Sequence, residues 1–256
     1  YIIPAEEGEL ASGLVGKGRL AEPETILKHV ADFFNHEEKS STLSGKTILI
    51  TAGPTYEAID PVRFIGNHSS GKMGYSIAEE AAARGAKVIL VSGPSNEKTK
   101  HSNITTYRVT SAKEMFDEVF KHYQNVDAAI ASAAVADYAP KVVASEKIKK
   151  NDDDLVIELV KNPDILKTMG AQKQNQFFVF FSLETNNEEE NAKGKLEKKN
   201  LDMIVLNSLR DEGAGFKNPT NKIKILTHND LKEFELKSKD LVAKDILDFM
   251  ETQWLK

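Results

Sequence analysis

No cysteine occurs anywhere in the chain, which excludes disulfides, a thiolate metal site and a thiol nucleophile. A cysteine-free chain suits a reducing cytoplasm, the compartment expected here. No apolar run is long enough to span a bilayer, and no signal-type apolar core opens the sequence, so no membrane role is expected. Basic excess is also missing. With 34 Lys and Arg against 39 Asp and Glu, the formal charge is -5, which argues against a broad nucleic-acid surface. The glycines do not fall into G-x-G-x-x-G, and the second expected strand ends Val91-Ser92-Gly93 without the acid that would hold a ribose. An NAD site is therefore disfavoured. A Walker loop is missing too, because Gly71-Lys72-Met73 lacks the terminal hydroxyl. No pair of histidines has metal-ligand spacing and no Ser-His-Asp arrangement can be argued, so zinc and hydrolytic chemistry start low. The chain opens on Tyr1 rather than Met, which reads as a fragment or processed form.

What is present is an alternation of strand and helix patterns. Lys46–Thr51 is a β-branched run suited to a buried parallel strand. From about Lys72, the residues Met73, Ile77, Ala78, Ala81 and Ala82 recur at helical spacing, and Gly85 stands where helices commonly end. Strands are expected at 87–91, 104–109, 127–135, 155–160, 177–181 and 203–206. Helices are expected at 111–123, from Asn162-Pro163, at 188–199 and from Ser238 or Lys239 to near Trp254. The pairs 222–226 and 232–236 suit a hairpin, while 137–151 and 213–221 read as loops. The pattern predicts an α/β fold: a Rossmann-like, doubly wound, mainly parallel sheet with a small hairpin and loop subdomain, and with ligands at the carboxyl ends of the strands. Residues 1–36 read apart from this, as a glycine-punctuated loop followed by an amphipathic helix from Pro23. Residues 37–44 read as a polar linker, and the main domain spans 45–256.

The chemistry concentrates between Thr51 and Gly74. Asn67, His68, Ser69, Ser70 and Gly71 are small hydrogen-bonding residues just before a helix N-terminus, where unpaired N–H groups and the helix dipole favour an anion. An ordinary structural loop fits the same residues. Taken alone, Asn67 is either a turn residue or a neutral donor to a developing acyl oxygen, and Arg63 is either an exposed charge or a fork for carboxylate or phosphate. Lys147, Lys149 and Lys150 form one basic knot, and Lys195, Lys198 and Lys199 a second. Each is either a solvated face or a set of point charges for a triphosphate, and both are expected beside the carboxyl edge of the sheet. Asp137, following an apolar strand, is either a cap or an acceptor for a ligand hydroxyl or amine.

The segments TAGPTYEAIDPVRFIGNHSSGKMG (51–74), SAAVADY (132–138), KIKK (147–150), KNPDIL (161–166), FSLET (181–185) and KKNLDMIVLN (198–207) closely resemble the phosphopantothenoylcysteine synthetases of the bacterial, CTP-using type. The resemblance covers essentially all of 45–256. Glu9 to Leu20, followed by AEPE, is similar to the substrate flap and final helix of phosphopantothenoylcysteine decarboxylase, the flavoprotein fused ahead of the synthetase. Ser12 stands where that flap usually has its catalytic cysteine. The resemblance therefore implies no decarboxylation by this chain, and FMN only in a full-length fusion.

The synthetase resemblance implies ligation in two steps. The carboxylate of 4'-phosphopantothenate attacks CTP to give an acyl-cytidylate and pyrophosphate, and the amine of L-cysteine then displaces CMP, with Mg2+ accompanying CTP. On matching positions it implies that Gly53, Ser69, Gly71 and Gly74 cradle phosphates and that Asn67 holds the activated acyl group. Ser132, Ala133, Ala134 and Asp137 would line the pantothenate and nucleotide side, and Lys147 would support nucleotidyl transfer. Pro163, Asp164, Ile165, Leu166 and Phe181 would frame the cytosine, with Lys195 and Lys199 on phosphates. Arg63 resembles an arginine that crosses a dimer interface, so a homodimer is implied. Two other readings remain at this level: a different nucleotide-binding α/β protein, such as a reductase that lost its fingerprint, and a non-enzymatic assembly module. Stabilisation by CTP rather than NADPH separates the first from the ligase, and pyrophosphate release separates the second.

Overall fold

The structure, a computed structural model, describes residues 2–9, 13–39, 42–150, 154–184, 188–208 and 218–255. Ser12, Thr185, Asn151 and most of the 213–221 loop lie outside them. The chain falls into two compact units, Tyr1–Thr42 and Leu43–Lys256.

In the first unit, Glu6–Glu9 pairs antiparallel with Val15–Arg19, so the expected glycine-punctuated loop is in fact a hairpin. Helix α1 (Pro23–Lys39) follows. It starts at the expected proline but runs beyond the expected end, because Glu and Lys in the NHEEK stretch are good helix formers despite their polarity.

The second unit is built on an eight-stranded sheet. Its strands in chain order are β1 (Thr47–Ala52), β2 (Lys87–Ser92), β3 (Ile104–Arg108), β4 (Ala128–Ala131), β5 (Phe177–Glu184), β6 (Met203–Ser208), β7 (Ile223–Thr227) and β8 (Leu231–Glu233). Their spatial order is β8-β7-β6-β5-β4-β1-β2-β3. The six strands from β3 to β6 are parallel, and β7 and β8 add an antiparallel hairpin at one edge. The order 3-2-1-4-5-6 is the doubly wound one, and it reverses direction between β1 and β4. The Lys222–Leu226 and Lys232–Leu236 hairpin is thus present, though β8 is shorter than expected.

Alternation along β1 distributes its side chains over two cores. Ile48 and Ile50 pack on the face covered by α2 (Lys72–Ala83) and α6 (Lys239–Trp254), against Ile77, Ala78, Val242 and Ile246. Leu49 faces the other layer, formed by α3 (Ala112–His122), α4 (Ile165–Gln172) and α5 (Glu188–Lys198), which contributes Met115, Val119, Met169 and Leu196. Burial of each such side chain contributes about 1.5–3 kcal/mol. Burial on both faces explains why these strands are continuous apolar runs in the sequence.

Two short hairpins project from the strand ends. Tyr56–Ala58 pairs with Phe64–Gly66, and Tyr138–Pro140 with Leu159–Lys161. Both fall where sequence patterning suggested loops or a longer 155–160 strand, because three-residue strands carry too little alternation to register.

Candidate functional site

A cavity of about 730 Å³ opens at the carboxyl ends of β1, β4, β5 and β6, the crevice that the doubly wound topology creates at its switch point. The loop Asn67–Gly74 forms one wall. Gly71 is the residue before α2 and has φ of +84°, a conformation that a side chain would strain. It brings no side-chain cap, and the first turn of α2 carries no acid. Ser69 and Ser70 instead fold back, their Oγ atoms accepting from the N–H groups of Gly71 (3.3 Å) and Lys72 (3.4 Å). The helix begins hard against the sheet: a Cβ on Gly74 would lie 2.6 Å from both Ala52 Cβ and Ser132 Oγ. That contact is what seats the loop at the β1–β4 crevice.

The β4 side of the cavity is supplied by residues 132–138. Asn67 Nδ2 donates to Ala134 O at 2.9 Å, tying the two walls together. Thr51 O accepts from Ser132 Oγ at 2.9 Å, and Thr55 Oγ1 accepts from Ala136 N at 2.9 Å. Asp137 is exposed at the rim.

The third wall combines the N-terminus of α4 with β5 and α5. Asp164 caps α4 by accepting from Lys167 N (2.8 Å), and it pairs with Lys199 Nζ at 2.5 Å. Burial works to raise its pKa, but the Lys199 ammonium and the Lys167 N–H outweigh that and hold the carboxyl below the usual carboxylate range. Lys195 Nζ donates to Ser182 Oγ at 3.0 Å and sits 5.8 Å from the centre of the Phe180 ring. Two ammonium groups thus flank a wall that also carries Phe180 and Phe181.

Of the residues marked in the sequence, Asn67, Ser69, Gly71 and Gly74 line this cavity, as do Ser132, Ala133, Ala134 and Asp137. So do Pro163 through Leu166, together with Phe181, Lys195 and Lys199. Gly53 lies beneath the loop, its Cα and N within about 3.2 Å of where a Cβ on Gly71 would sit. Arg63 and Lys147 are elsewhere. Arg63 donates through Nη2 to Ile148 O (2.5 Å) and through Nε to Asp60 Oδ2 (3.0 Å). The fully buried Asp60 carboxylate also accepts from Val62 N, Arg63 N and Ile148 N at 2.8, 2.8 and 3.1 Å. Burial opposes its ionisation, but these N–H groups and the guanidinium lower its pKa below the ordinary aspartate value. A further bond from Ala144 N to Ile59 O completes a clasp that holds the 144–148 strap, and Lys147 with it, to the 59–63 turn. The expectation that both basic knots stand beside the strand ends holds in the cavity lining for Lys195 and Lys199 only.

Lys72, Asn207, Asn221 and Lys239 also line the cavity without having been marked as site residues, although Lys72 and Asn207 fall within the 51–74 and 198–207 segments. They come from α2, the end of β6, the two-residue strand Thr220–Asn221 and the start of α6, and only the tertiary fold unites them. Among the described residues, no group of three or more His, Cys, Asp or Glu could hold a metal ion. No helix among them is long and apolar enough to cross a membrane.

Residues 43–253 match the DNA/pantothenate metabolism flavoprotein C-terminal domain. The chain is 48% identical over 250 residues to a cysteine/cysteine sulfinic acid decarboxylase from an unidentified prokaryote, covering 96% of this chain and 70% of that protein. It is 46% identical over 246 residues to the coenzyme A biosynthesis bifunctional protein CoaBC of Vibrio parahaemolyticus, covering 95% of this chain and 60% of that one. Among solved structures, the C-terminal domain of a coenzyme A biosynthesis bifunctional protein CoaBC superposes with a TM-score of 0.72 at 46% identity, over 83% of this chain and 97% of that chain. The chain thus spans about 60% of the length of its CoaBC relative. The family model spans nearly all of the second unit, and the chain belongs to the DNA/pantothenate metabolism flavoprotein C-terminal domain family.

Proposed function

We propose that residues 43–256 form a phosphopantothenate–cysteine ligase. The carboxylate of 4'-phosphopantothenate attacks the α-phosphorus of CTP, pyrophosphate leaves, and an acyl-cytidylate forms. The amine of L-cysteine then attacks the acyl carbon, and CMP departs with the bonding electrons. The observation that carries this reading is the cavity itself: an α2 N-terminus without a side-chain cap, a tight glycine loop and the Lys195 and Lys199 ammoniums converge where α/β sheets bind nucleotides. Such chemistry needs positioning and charge stabilisation rather than a protein nucleophile, which is consistent with a chain lacking cysteine.

In this reading Ser69, Gly71 and Gly74, over Gly53, seat phosphate. Asn67 donates to the acyl oxygen, and Ala133, Ala134 and Asp137 contact pantothenate with Ser132 behind them. Residues 163–166 and Phe181 frame the cytosine. Mg2+ bound with the triphosphate would offset its charge. The cavity fits a hydrated ion of this kind, because Asn207 Oδ1 and Asn221 Oδ1 are buried with no hydrogen-bond partner among the described residues and can accept from metal-bound water.

Arg63 and Lys147 act on the cavity of a second copy. Their subdomain exposes Val62, Phe64, Val142, Val143 and Val160, an apolar surface of the kind that homodimers cover. Residues 1–36 belong to the end of a decarboxylase domain, and the expected 37–44 linker is shortened, because α1 runs to Lys39 and the second unit starts at Leu43. FMN belongs to that preceding domain, and the protein works in the cytoplasm. The decarboxylase name of one relative belongs to a longer protein. A cavity that joins a helix N-terminus to two ammoniums suits phosphate better than a single small carboxylate.

The test is pyrophosphate release from CTP with and without phosphopantothenate. Dependence is expected, and equal rates refute the reading. Asn67→Asp replaces the amide that donates to Ala134 O with a carboxylate that repels the oxyanion. Pyrophosphate release is expected to persist while transfer to cysteine slows about 10²–10³-fold.

A further inference from the structure

The segment that follows β2 lies outside the cavity lining, yet it is built against the loop that forms one cavity wall. In a dinucleotide fold the end of the second strand holds a ribose. Here it reads Ser92-Gly93-Pro94-Ser95 and turns onto its two neighbours instead. Gly93 N donates to Ala52 O at 2.9 Å. A Cβ on Gly93 would lie 1.7 Å from Pro54 O, so only glycine permits the approach to the end of β1. Tyr75 Oη, in the first turn of α2, donates to Ser92 Oγ at 3.0 Å, and Ser92 Oγ donates to Gly93 O at 2.8 Å. The segment is thereby fixed to both β1 and α2.

Ser95 is where it meets the cavity loop. Its Oγ donates to Ser70 O at 2.6 Å and accepts from Glu97 N at 3.1 Å, so its one proton is committed to the loop. The same Oγ would stand 3.0 Å from a Cβ on Gly71, which places the hydroxyl hard against the turn with φ of +84°. Arg108, the last residue of β3, holds Ser95 from the other side: Nη1 donates to Ser95 O and Nη2 to Glu97 O, both at 3.3 Å. The bonds inside the loop, from Gly71 N to Ser69 Oγ and from Lys72 N to Ser70 Oγ, measure 3.3 and 3.4 Å. These exceed the usual N–H···O limit of about 3.2 Å, whereas the Ser95 bond is short for O–H···O and is the stronger tie. Because a trans peptide is planar, fixing Ser70 O also fixes the Gly71 N–H on the opposite side. One half-buried hydroxyl thus orients the peptide that leads into α2.

We infer that Ser95, braced by Arg108, is a positioning residue for the ligase, holding the Ser70–Gly71 peptide and with it the cavity wall from Ser69 to Gly74. At a half-buried position such a bond adds little to global stability, so its consequence lies in the placement of the loop. The inference rests on the ligase reading for the reaction assayed and not for the clamp itself.

The experiment compares wild type, Ser95→Ala, Ser95→Thr and Thr99→Val by amide hydrogen exchange of the free chain, by melting temperature, and by steady-state pyrophosphate release with CTP and L-cysteine varied separately. Thr99 lies in the same segment, its hydroxyl 3.5 Å from that of Thr106, and serves as the control for general loosening. In Ser95→Ala, exchange across 69–74 is expected to quicken about fivefold while the later turns of α2 are unchanged. KM for CTP is expected to rise about tenfold, KM for L-cysteine to hold, and the melting temperature to stay within about 2 °C of wild type. Ser95→Thr keeps the hydroxyl and is expected to return both exchange and KM towards wild type. Unchanged loop exchange in Ser95→Ala overturns the clamp, as does faster exchange with an unaltered KM for CTP. Equal losses in Thr99→Val, a KM for L-cysteine that rises in step, or a Ser95→Thr that behaves as Ser95→Ala also overturn it. A wild type without ligase activity removes the ligase reading alone, and the clamp then stands or falls on loop exchange and its recovery in Ser95→Thr.

Discussion

Gly74→Ala tests the link between packing and the site. The added Cβ would lie 2.6 Å from Ala52 Cβ and Ser132 Oγ and 3.2 Å from Ala52 Cα. Ordinary carbon contacts begin near 3.4 Å, so the start of α2 must retreat from β1 by roughly 0.8 Å, the difference between the two distances. Ala52 is fully buried and belongs to the central strand, so the helix rather than the sheet has to yield. Overpacking of this kind costs about 1–3 kcal/mol. For a unit of this size that lowers the melting temperature by about 2–4 °C per kcal/mol. The larger effect is expected in catalysis, because the displaced turn carries Gly71 and the cavity wall around it. A misplacement of about 1 Å can cost about 10²-fold. Thermal melting and CTP-dependent pyrophosphate release, measured on one preparation, check both parts. A variant with wild-type melting and wild-type turnover would refute the close-packing account of the loop.

Arg84→Leu concerns stability away from the cavity. Arg84 is 2% exposed and pairs with Glu80 at 2.7 Å and with Asp248 and Glu251 at 2.9 Å, joining α2 to α6. Removing it strands partly buried carboxylates, and urea denaturation is expected to show a loss of about 3 kcal/mol; a loss under 1 kcal/mol contradicts the packing described. Asp60→Asn loosens the clasp on the 144–148 strap while leaving the cavity lining intact. Turnover should fall, CTP affinity should hold, and a parallel loss of CTP binding would show that the clasp acts on the cavity directly. Asp60 also gives a pH signature. Its folded pKa lies below the ordinary aspartate value of about 3.9, so its contribution is present above that value and is lost as pH falls through the lower folded one. Urea midpoints measured from neutral to acid should therefore decline less steeply in Asp60→Asn than in wild type, and identical slopes would remove Asp60 from acid stability.

The parallel strands were legible because runs such as Ile48-Leu49-Ile50 and Ile204-Val205 are buried on both faces and show it as uninterrupted hydrophobicity. Helix α6 was legible for the same reason, through Val242, Ile246 and Met250, and Ser238 marked its start by the capping hydroxyl it supplies. The hairpins at 56–66 and 138–161 were not, since their pairing depends on long-range anchors such as Thr55 Oγ1 to Ala136 N and the Asp60 clasp. In the cavity, the glycine and serine loop announced itself through composition. Lys239 and Asn221 did not, because a single lysine among 34 basic residues or an isolated asparagine has no spacing to read, and Asn207 was not singled out within 198–207. Their convergence comes from strand register and from the way α6 starts beside α2. The knot at 147–150 could not be placed from the sequence for the complementary reason: its residues look like cations of the cavity in the same chain, and only the contacts of Ile148 with Asp60 and Arg63 show where the strap is held.

The most direct measurement of the ligase reading is the mass and stoichiometry of products formed from CTP, 4'-phosphopantothenate and L-cysteine. The account expects one phosphopantothenoylcysteine and one CMP for each pyrophosphate released, with the carboxyl group of cysteine retained. Carbon dioxide from cysteine without CMP, or CMP formed without the acyl-cysteine product, would contradict it.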